Sequence, residues 1–187
     1  PETEPPVSLL GFDPLLSAPP LAEFSQLLSE RKGSVKGVLL DQTFSAGVGN
    51  WVADEVLYQA RLHPETPVTS LSPAQVESVW KSLGMVVKVA CEADADSEKF
   101  PKDWLFHYRW TGKKAIKMPD GHAVSFITVA SRTSAFVAAL QKKTDGGGRE
   151  AGGGATKPKT APLKRNTTLA AKVKAEPQKL RPVSRTK

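Results

Sequence analysis

The stretch that decides the fold spans residues 39–64 and reads LLDQTFSAGVGNWVADEVLYQARLHP. Both ends of it have the apolar spacing of helices, and a glycine-containing passage joins them. The second helix is predicted to begin at Asn50, a residue type suited to an N-cap, and to end before Pro64. Asp54 and Glu55 fall in its first turns, where the helix dipole favours acidic side chains. Its apolar stripe consists of Ala53, Val56, Leu57 and Ala60.

The glycine turn before this helix is a candidate anion site. The first amides of a helix have no acceptor within the helix, and the dipole places positive potential there. Gly47 and Gly49 would let a foreign backbone approach closely, so a phosphate group fits the start of the helix at Asn50. Taken alone, the glycines are a weak signal, because glycines before an Asn-capped helix are more often plain turn chemistry.

Three more helices are predicted around this one. Leu21, Phe24, Leu27 and Leu28 share one helical face, which Gly33 terminates, and Ser34 can cap a following short helix. Ser72 and Gln75 form a capping box that opens a long helix towards Asp94. We therefore expect a four-helix domain over residues 21–103. Residues 1–20 contain six prolines and are predicted to be an extended, linker-like lead-in.

The character of the sequence changes after Asp103. Residues 113–118 and 124–130 have the pattern of short strands around the turn at 119–121, and residues 133–140 form a third segment. The chain has one cysteine, Cys91, so a zinc site built from several thiolates is excluded. His107 and His122 alone do not make a structural metal site. We predict neither a metal nor a cofactor.

The net charge of +7 belongs to the end of the chain. Residues 144–187 contain 11 Lys and Arg against 3 acidic residues, whereas residues 1–143 contain 15 against 16. With so few large apolar residues this segment is predicted to be a disordered basic tail, suited to loose attraction of phosphates. A solubilising tail without a partner is the alternative. No apolar run approaches the roughly 20 residues of a membrane span, so no membrane association is expected.

The glycine-turn stretch resembles the helix–two-turn–helix of the formamidopyrimidine-DNA glycosylase and endonuclease VIII family. The matching pieces are Leu39–Gln42, Gly47–Asn50, Ala53–Glu55 and His63-Pro64, preceded by RKGSVKG at residues 31–37. The resemblance implies that Asn50 and the amides around Gly49 hold a phosphate beside a damaged nucleotide. It also implies that Lys36 holds a neighbouring phosphate. The alternatives are a pure helix cap for Asn50 and a solvated side chain for Lys36.

Residues 104–143 resemble the zincless finger of some plant, fungal and animal members, in which packing replaces the metal. Arg132, in the Ser-Arg-Thr turn, matches the finger arginine. The resemblance implies that it binds the phosphates flanking an extruded base; an ordinary exposed turn arginine is the alternative. The fold class expected is mainly α: a four-helix domain, a small β-hairpin finger and a basic tail.

The chain begins with Pro1-Glu2, and in this family an N-terminal proline amine attacks the sugar while the next glutamate assists. Here the following residues instead resemble an interdomain linker, with Leu-Gly-x-Asp-Pro at residues 10–14. We therefore interpret Pro1 and Glu2 as a coincidence and predict no catalytic residue. The resemblance covers roughly residues 8–143, without the catalytic β-rich domain.

Three functional hypotheses follow. The first is the DNA-binding half of a bifunctional DNA glycosylase and AP lyase of base-excision repair. Its expected partner is double-stranded DNA containing oxidised bases or abasic sites, and we expect a nuclear monomer. The second is a stand-alone, non-catalytic module that binds damaged DNA. The third, an RNA-binding helix–two-turn–helix of the ribosomal-protein kind, is disfavoured by the finger-like segment with Arg132.

Overall fold

The helices form where the capping residues and apolar spacing place them. A computed structural model describes residues 4–110 and 116–143, which all belong to one compact unit. Its four α-helices in that part of the chain confirm the predicted helical class, and none of them is long and apolar enough to cross a membrane. They are α1 (Leu21–Ser29), α2 (Val35–Leu40), α3 (Asn50–Gln59) and α4 (Pro73–Glu92).

Two predicted caps are confirmed. The Ser34 hydroxyl accepts a hydrogen bond from the Gly37 amide at the start of α2, and Ser72 and Gln75 form the reciprocal capping box of α4. The prediction that Asn50 caps α3 is wrong. Gly49 occupies the N-cap position, Asn50 is the first helical residue, and its side chain makes no capping bond. The Asn50 amide is therefore free to bond elsewhere.

Helix α3 is the centre of the helical core. Every residue from Val52 to Tyr58 is buried, whereas an amphipathic surface helix would leave one face in water. One side of α3 packs against α2 and α4. The other side is covered by the segment that follows Asp103, which explains why the two acidic residues of α3 are buried as well.

The predicted lead-in is part of this packing rather than a separate linker. The Gly11 amide donates to the Gln42 carbonyl at 2.8 Å, and the ring of Phe12 lies edge-on to those of Phe24 and Phe44. A Cβ at Gly11 would lie 2.2 Å from the Phe44 carbonyl oxygen, so glycine is required there. The predicted boundary at residue 20 does not coincide with a break in the structure.

The finger contains one β-hairpin in its described part. Strands β1 (Ser125–Val129) and β2 (Arg132–Phe136) pair antiparallel, with Val129 opposite Arg132. The two turn residues, Ala130 and Ser131, have φ of 49° and 59°, as a two-residue type I′ turn requires.

The predicted strand at 113–118 is not a strand where the structure describes it. Residues 116–118 contribute only an isolated bridge between Lys117 and Ala123, and residues 113–115 lie outside the described part. The segment predicted at 133–140 is the second strand of the hairpin, shifted to begin at Arg132. A second apolar cluster joins the finger to α3 through Tyr58, Leu105, Met118, Val124, Ala135 and Val137. The tail predicted at 144–187 lies outside the described residues, as do Pro1 and Glu2.

Candidate nucleic-acid interface

The start of α3 and the hairpin turn form two walls of one cleft. The cleft has a volume of about 480 Å³, and it is lined by Leu40, Gln42, Val48, Gly49, Asn50, Ala130 and Arg132. Asn50 and Arg132, which are 82 positions apart in the sequence, therefore face the same space. Gly49 and Asn50 place the start of α3 at this cleft, and the first amides of a helix have no intrahelical acceptors.

Asn50 is held by the hairpin. Its Nδ2 donates to the Thr133 carbonyl at 2.9 Å, which fixes the orientation of the amide because a carbonyl only accepts. Its Oδ1 has no hydrogen-bond partner among the described residues. An amide oxygen is an acceptor and cannot bond to the oxygens of a phosphate. Asn50 would therefore contribute to anion binding through its NH2 group and its backbone amide.

The turn before α3 is organised by Gln42. The Gln42 side chain accepts from the Gly47 amide at 2.9 Å and donates to the carbonyls of Leu40 and Val48, both at 3.1 Å. The φ of Gly47 is +78°, a conformation that L side chains rarely adopt. The sequence alone assigns Gln42 no role. The folded structure shows that its side chain holds the turn before α3 in place through these three hydrogen bonds.

Gly49 is present for a different reason from Gly47. Its φ of −94° is open to any residue, and a Cβ built on it would meet nothing within 4 Å. Neither backbone strain nor packing therefore requires glycine at position 49. What the missing side chain provides is open space on the wall of the cleft.

Arg132 is an exposed cation beside the hairpin turn. In residues 4–110 and 116–143 it has no ion-pair partner and no hydrogen-bond acceptor for its guanidinium. A guanidinium in this state presents its full fork of donors to a planar or tetrahedral oxyanion. Arg132 and the start of α3 therefore line the same cleft.

The predicted phosphate contact of Lys36 does not fit the structure. The side chain is fully buried, and its Nζ donates to Asp54 Oδ1 at 2.6 Å and to Ser134 Oγ at 2.6 Å. A third contact, to the Thr133 carbonyl, is 3.3 Å long. Burial lowers the pKa of the Lys36 ammonium from its ordinary value, although the Asp54 carboxylate acts in the opposite direction. We therefore reassign Lys36 from the surface to the joint between α2, α3 and the hairpin.

Asp54 is the acceptor at the centre of that joint, and the sequence did not reveal it. Its Oδ2 accepts from Arg109 Nη2 at 2.9 Å and from the Ala135 amide at 3.1 Å. An acidic residue opposite the apolar stripe of α3 is ordinarily a solvated residue. It is buried here because the finger covers that face, which only tertiary structure decides.

Glu55 ties α3 to the segment before the hairpin. Its Oε2 accepts from the Phe106 amide at 2.9 Å, and its Oε1 accepts from Gln59 Nε2 at 2.7 Å. Burial raises the pKa of Glu55 to about 7, against the opposing effect of these two hydrogen bonds. Asp103 and Asp54 raise it further. These contacts give Glu55 a structural role.

The histidines have local structural contacts. His63 lies edge-on to the ring of Phe136, and its Nδ1 accepts from the Glu65 amide at 3.2 Å. His107 contacts the Pro101 carbonyl through Nε2, and His122 lies beside Asp120. In the part of the chain that the structure describes, no group of three His, Cys, Asp or Glu residues is placed to hold a metal ion.

A helix–two-turn–helix whose second helix opens onto a cleft shared with a β-hairpin defines the class of protein. Residues 10–102 match the model of the formamidopyrimidine-DNA glycosylase H2TH domain. The formamidopyrimidine-DNA glycosylase of Arabidopsis thaliana is 46% identical over 137 residues, which are 73% of this chain and 35% of that protein. The formamidopyrimidine-DNA glycosylase of Desulfitobacterium hafniense is 32% identical over 149 residues, and the match covers 74% of this chain and 54% of that protein.

Solved structures give the same result. Formamidopyrimidine-DNA glycosylase of Lactococcus lactis, bound non-covalently to DNA containing an AP site, matches with a TM-score of 0.61 and 26% identity over 72% of this chain and 50% of that one. The MutM protein of Thermus thermophilus matches with a TM-score of 0.59 and 29% identity, and the match covers 74% of this chain and 56% of that one. The chain belongs to the formamidopyrimidine-DNA glycosylase family. It spans about a third to a half of the length of these relatives.

Proposed function

We propose that this chain is the DNA-binding part of a bifunctional DNA glycosylase and AP lyase of base-excision repair, acting on DNA with oxidised bases or abasic sites. The observation that carries the proposal is the shared cleft: Asn50 and Arg132 face one space from separate elements. Several structural relatives were solved as complexes with DNA containing a THF residue or an AP site, which supports the proposal.

The chemistry proposed for the cleft is phosphate binding at a distorted backbone. The amides at the start of α3, beginning at Asn50, supply donors with the positive end of the helix dipole behind them. Arg132 supplies a charge-assisted fork of donors from the opposite wall. Two such phosphate contacts on one DNA strand would hold the backbone bent while a nucleotide is out of the stack. Unstacking that nucleotide is the energetically costly part of base extrusion.

The decisive binding experiment compares duplexes with and without a tetrahydrofuran abasic analogue, measured by fluorescence anisotropy at two salt concentrations. We expect tighter binding to the abasic duplex, and a preference that Asn50→Ala and Arg132→Ala both reduce. Equal affinity for the two duplexes, or unchanged affinity in both variants at moderate salt, would refute the site.

A stand-alone, non-catalytic module is the second candidate, because Asn50 and Arg132 serve binding in either case. Borohydride trapping of the chain on abasic or 8-oxoguanine DNA addresses the chemistry. We expect no covalent adduct, since we assign Pro1 and Glu2 no catalytic role. A robust adduct would reverse that assignment. We further propose that the protein is a monomer. We also propose a nuclear location, with which basic clusters such as residues 162–165 are compatible.

A further inference from the structure

The Asp54 carboxylate joins three separate segments inside the protein. Lys36 reaches it from α2, Arg109 from the segment before the hairpin, and the Ala135 amide from β2. The side chains of Asp54 and Lys36 are fully buried and that of Arg109 is 9% exposed. The ring of Trp110 lies 5.1 Å from the Arg109 guanidinium, which holds this cation in place.

These contacts converge on the strand that carries Arg132. Ala135 is three residues further along β2, so its amide, which donates to Asp54, lies about 10 Å along the strand from Arg132. Lys36, held by the same carboxylate, bonds to Ser134 and to the Thr133 carbonyl. Each residue from 133 to 135 is therefore attached to the Asp54 cluster.

The same helix carries the other wall of the cleft. Asp54 and Asn50 are four residues apart on α3 and so lie on one face of that helix. The Thr133 carbonyl accepts from both Asn50 and Lys36. A shift of β2 relative to α3 would therefore change the distance between Arg132 and the first amides of α3.

The charge balance makes this joint depend on one group. Two buried cations share one carboxylate, so removing the carboxylate charge leaves both without a counter-ion in a dry environment, which is strongly unfavourable. This unfavourable free energy is reduced only if the cations move towards water. Strand β2, which is hydrogen-bonded to Lys36, would then move with them. Apolar packing of the hairpin does not set its position to this degree, because apolar contacts are not directional.

We propose that Asp54 is a positioning residue for the phosphate cleft, which fixes Arg132 on β2 relative to the amino end of α3. This inference rests on the proposed function of that cleft. It assigns Asp54 no contact with DNA: Asp54 acts through Arg132.

A double-mutant cycle on DNA affinity tests the proposal. The full chain and the variants Asp54→Asn, Arg132→Ala and the double variant are titrated against a duplex containing the tetrahydrofuran analogue. Asp54→Asn is expected to weaken binding about tenfold when Arg132 is present and about threefold or less when it is absent, since coupled residues give non-additive effects of this size. The same factor in both backgrounds would overturn the proposal.

Glu55→Gln is the matched control, because Glu55 is equally buried on α3 but bonds to Phe106 and Gln59 rather than to the hairpin. Its effect on affinity is expected to be the same with and without Arg132. A coupling equal to that of Asp54 would reduce the role of Asp54 to general stability and refute the inference.

Two further outcomes also bear on the role of Asp54. If Asp54→Asn does not fold, as judged by circular dichroism, Arg109→Lys is placed in the same cycle, since it disturbs the joint from its more exposed end. Additivity of that variant would then overturn the proposal. If Arg132→Ala itself leaves affinity unchanged, the phosphate cleft is refuted, and the role of Asp54 with it.

Discussion

Asn50 and Lys36 donate to the same acceptor, the backbone carbonyl of Thr133, at 2.9 and 3.3 Å. One residue opens α3 and the other lies on α2, and the carbonyl follows Arg132 directly. The hairpin is thus attached to both helices of the helix–two-turn–helix at the residue that follows its exposed arginine. Phosphate binding by this chain should depend on that attachment as well as on the groups that touch the ligand.

Asn50→Ala removes both the bond to Thr133 and an NH2 group of the cleft. We expect DNA affinity to fall by about 1–3 kcal/mol, the range for charge-assisted hydrogen bonds. Anisotropy with the abasic duplex measures this change. Ser29→Ala is the control: Ser29 ends α1 and is not one of the residues that line the cleft, so affinity should be unchanged.

Arg132→Ala removes an exposed cation that has no ion pair in the described part of the chain. Folding stability should therefore stay within about 0.5 kcal/mol of the parent value, as for other surface substitutions. The slope of log affinity against log salt should fall in magnitude by about one. Lys88→Ala on α4, which removes a similarly exposed cation, should change neither quantity. Equal effects of the two substitutions would contradict a specific role for Arg132.

Gly49→Ala tests whether the open wall of the cleft serves a ligand. The added methyl group meets no protein atom within 4 Å, so the free energy of unfolding should change by less than about 1 kcal/mol. DNA affinity should fall, because the methyl group occupies the approach to the amides of α3. Gly11→Ala is the opposite case: its Cβ would clash with the Phe44 carbonyl, and stability should be lost. Unchanged DNA affinity in Gly49→Ala would show that nothing approaches this wall closely.

The raised pKa of Glu55 predicts a pH-dependent stability. Because the folded pKa of about 7 exceeds the ordinary value of 4.5, the folded state holds its proton more tightly than the unfolded state. The contribution is therefore fully favourable below about pH 4.5 and is lost as pH rises towards 7. The shift corresponds to a loss of about 3 kcal/mol.

Urea unfolding of the parent and of Glu55→Gln between about pH 5 and 8 measures this effect. The variant cannot ionise, so the difference between the two curves isolates Glu55 from His63, whose pKa burial lowers. Parallel curves would contradict the prediction.

Deletion of residues 144–187 removes a segment with eight more basic than acidic residues. We expect the salt dependence of DNA binding to become shallower, while the preference for an abasic duplex is retained, because loose phosphate attraction carries no structural selectivity. Loss of that preference in the deletion variant would assign the tail a specific role.

The helical part of the fold was predictable because its signals are local. Ser34, Ser72 and the apolar spacing of α1 and α4 act within a turn or two of their own positions. The glycine turn and the family resemblance of residues 39–64 were likewise legible in the sequence, and the cleft contains the predicted Gly49, Asn50 and Arg132.

The tertiary structure decided what the polar residues of α3 and α2 do. Asp54 and Lys36 have the sequence context of solvated side chains, and both are buried, as is Glu55, because the finger packs on the face of α3 that a single amphipathic helix would leave in water. Asn50, predicted to cap α3, instead donates to the Thr133 carbonyl, an acceptor 83 residues away that no local pattern reveals. Local pattern fixes where a helix begins, but the partner of a buried charge depends on which distant segment covers it.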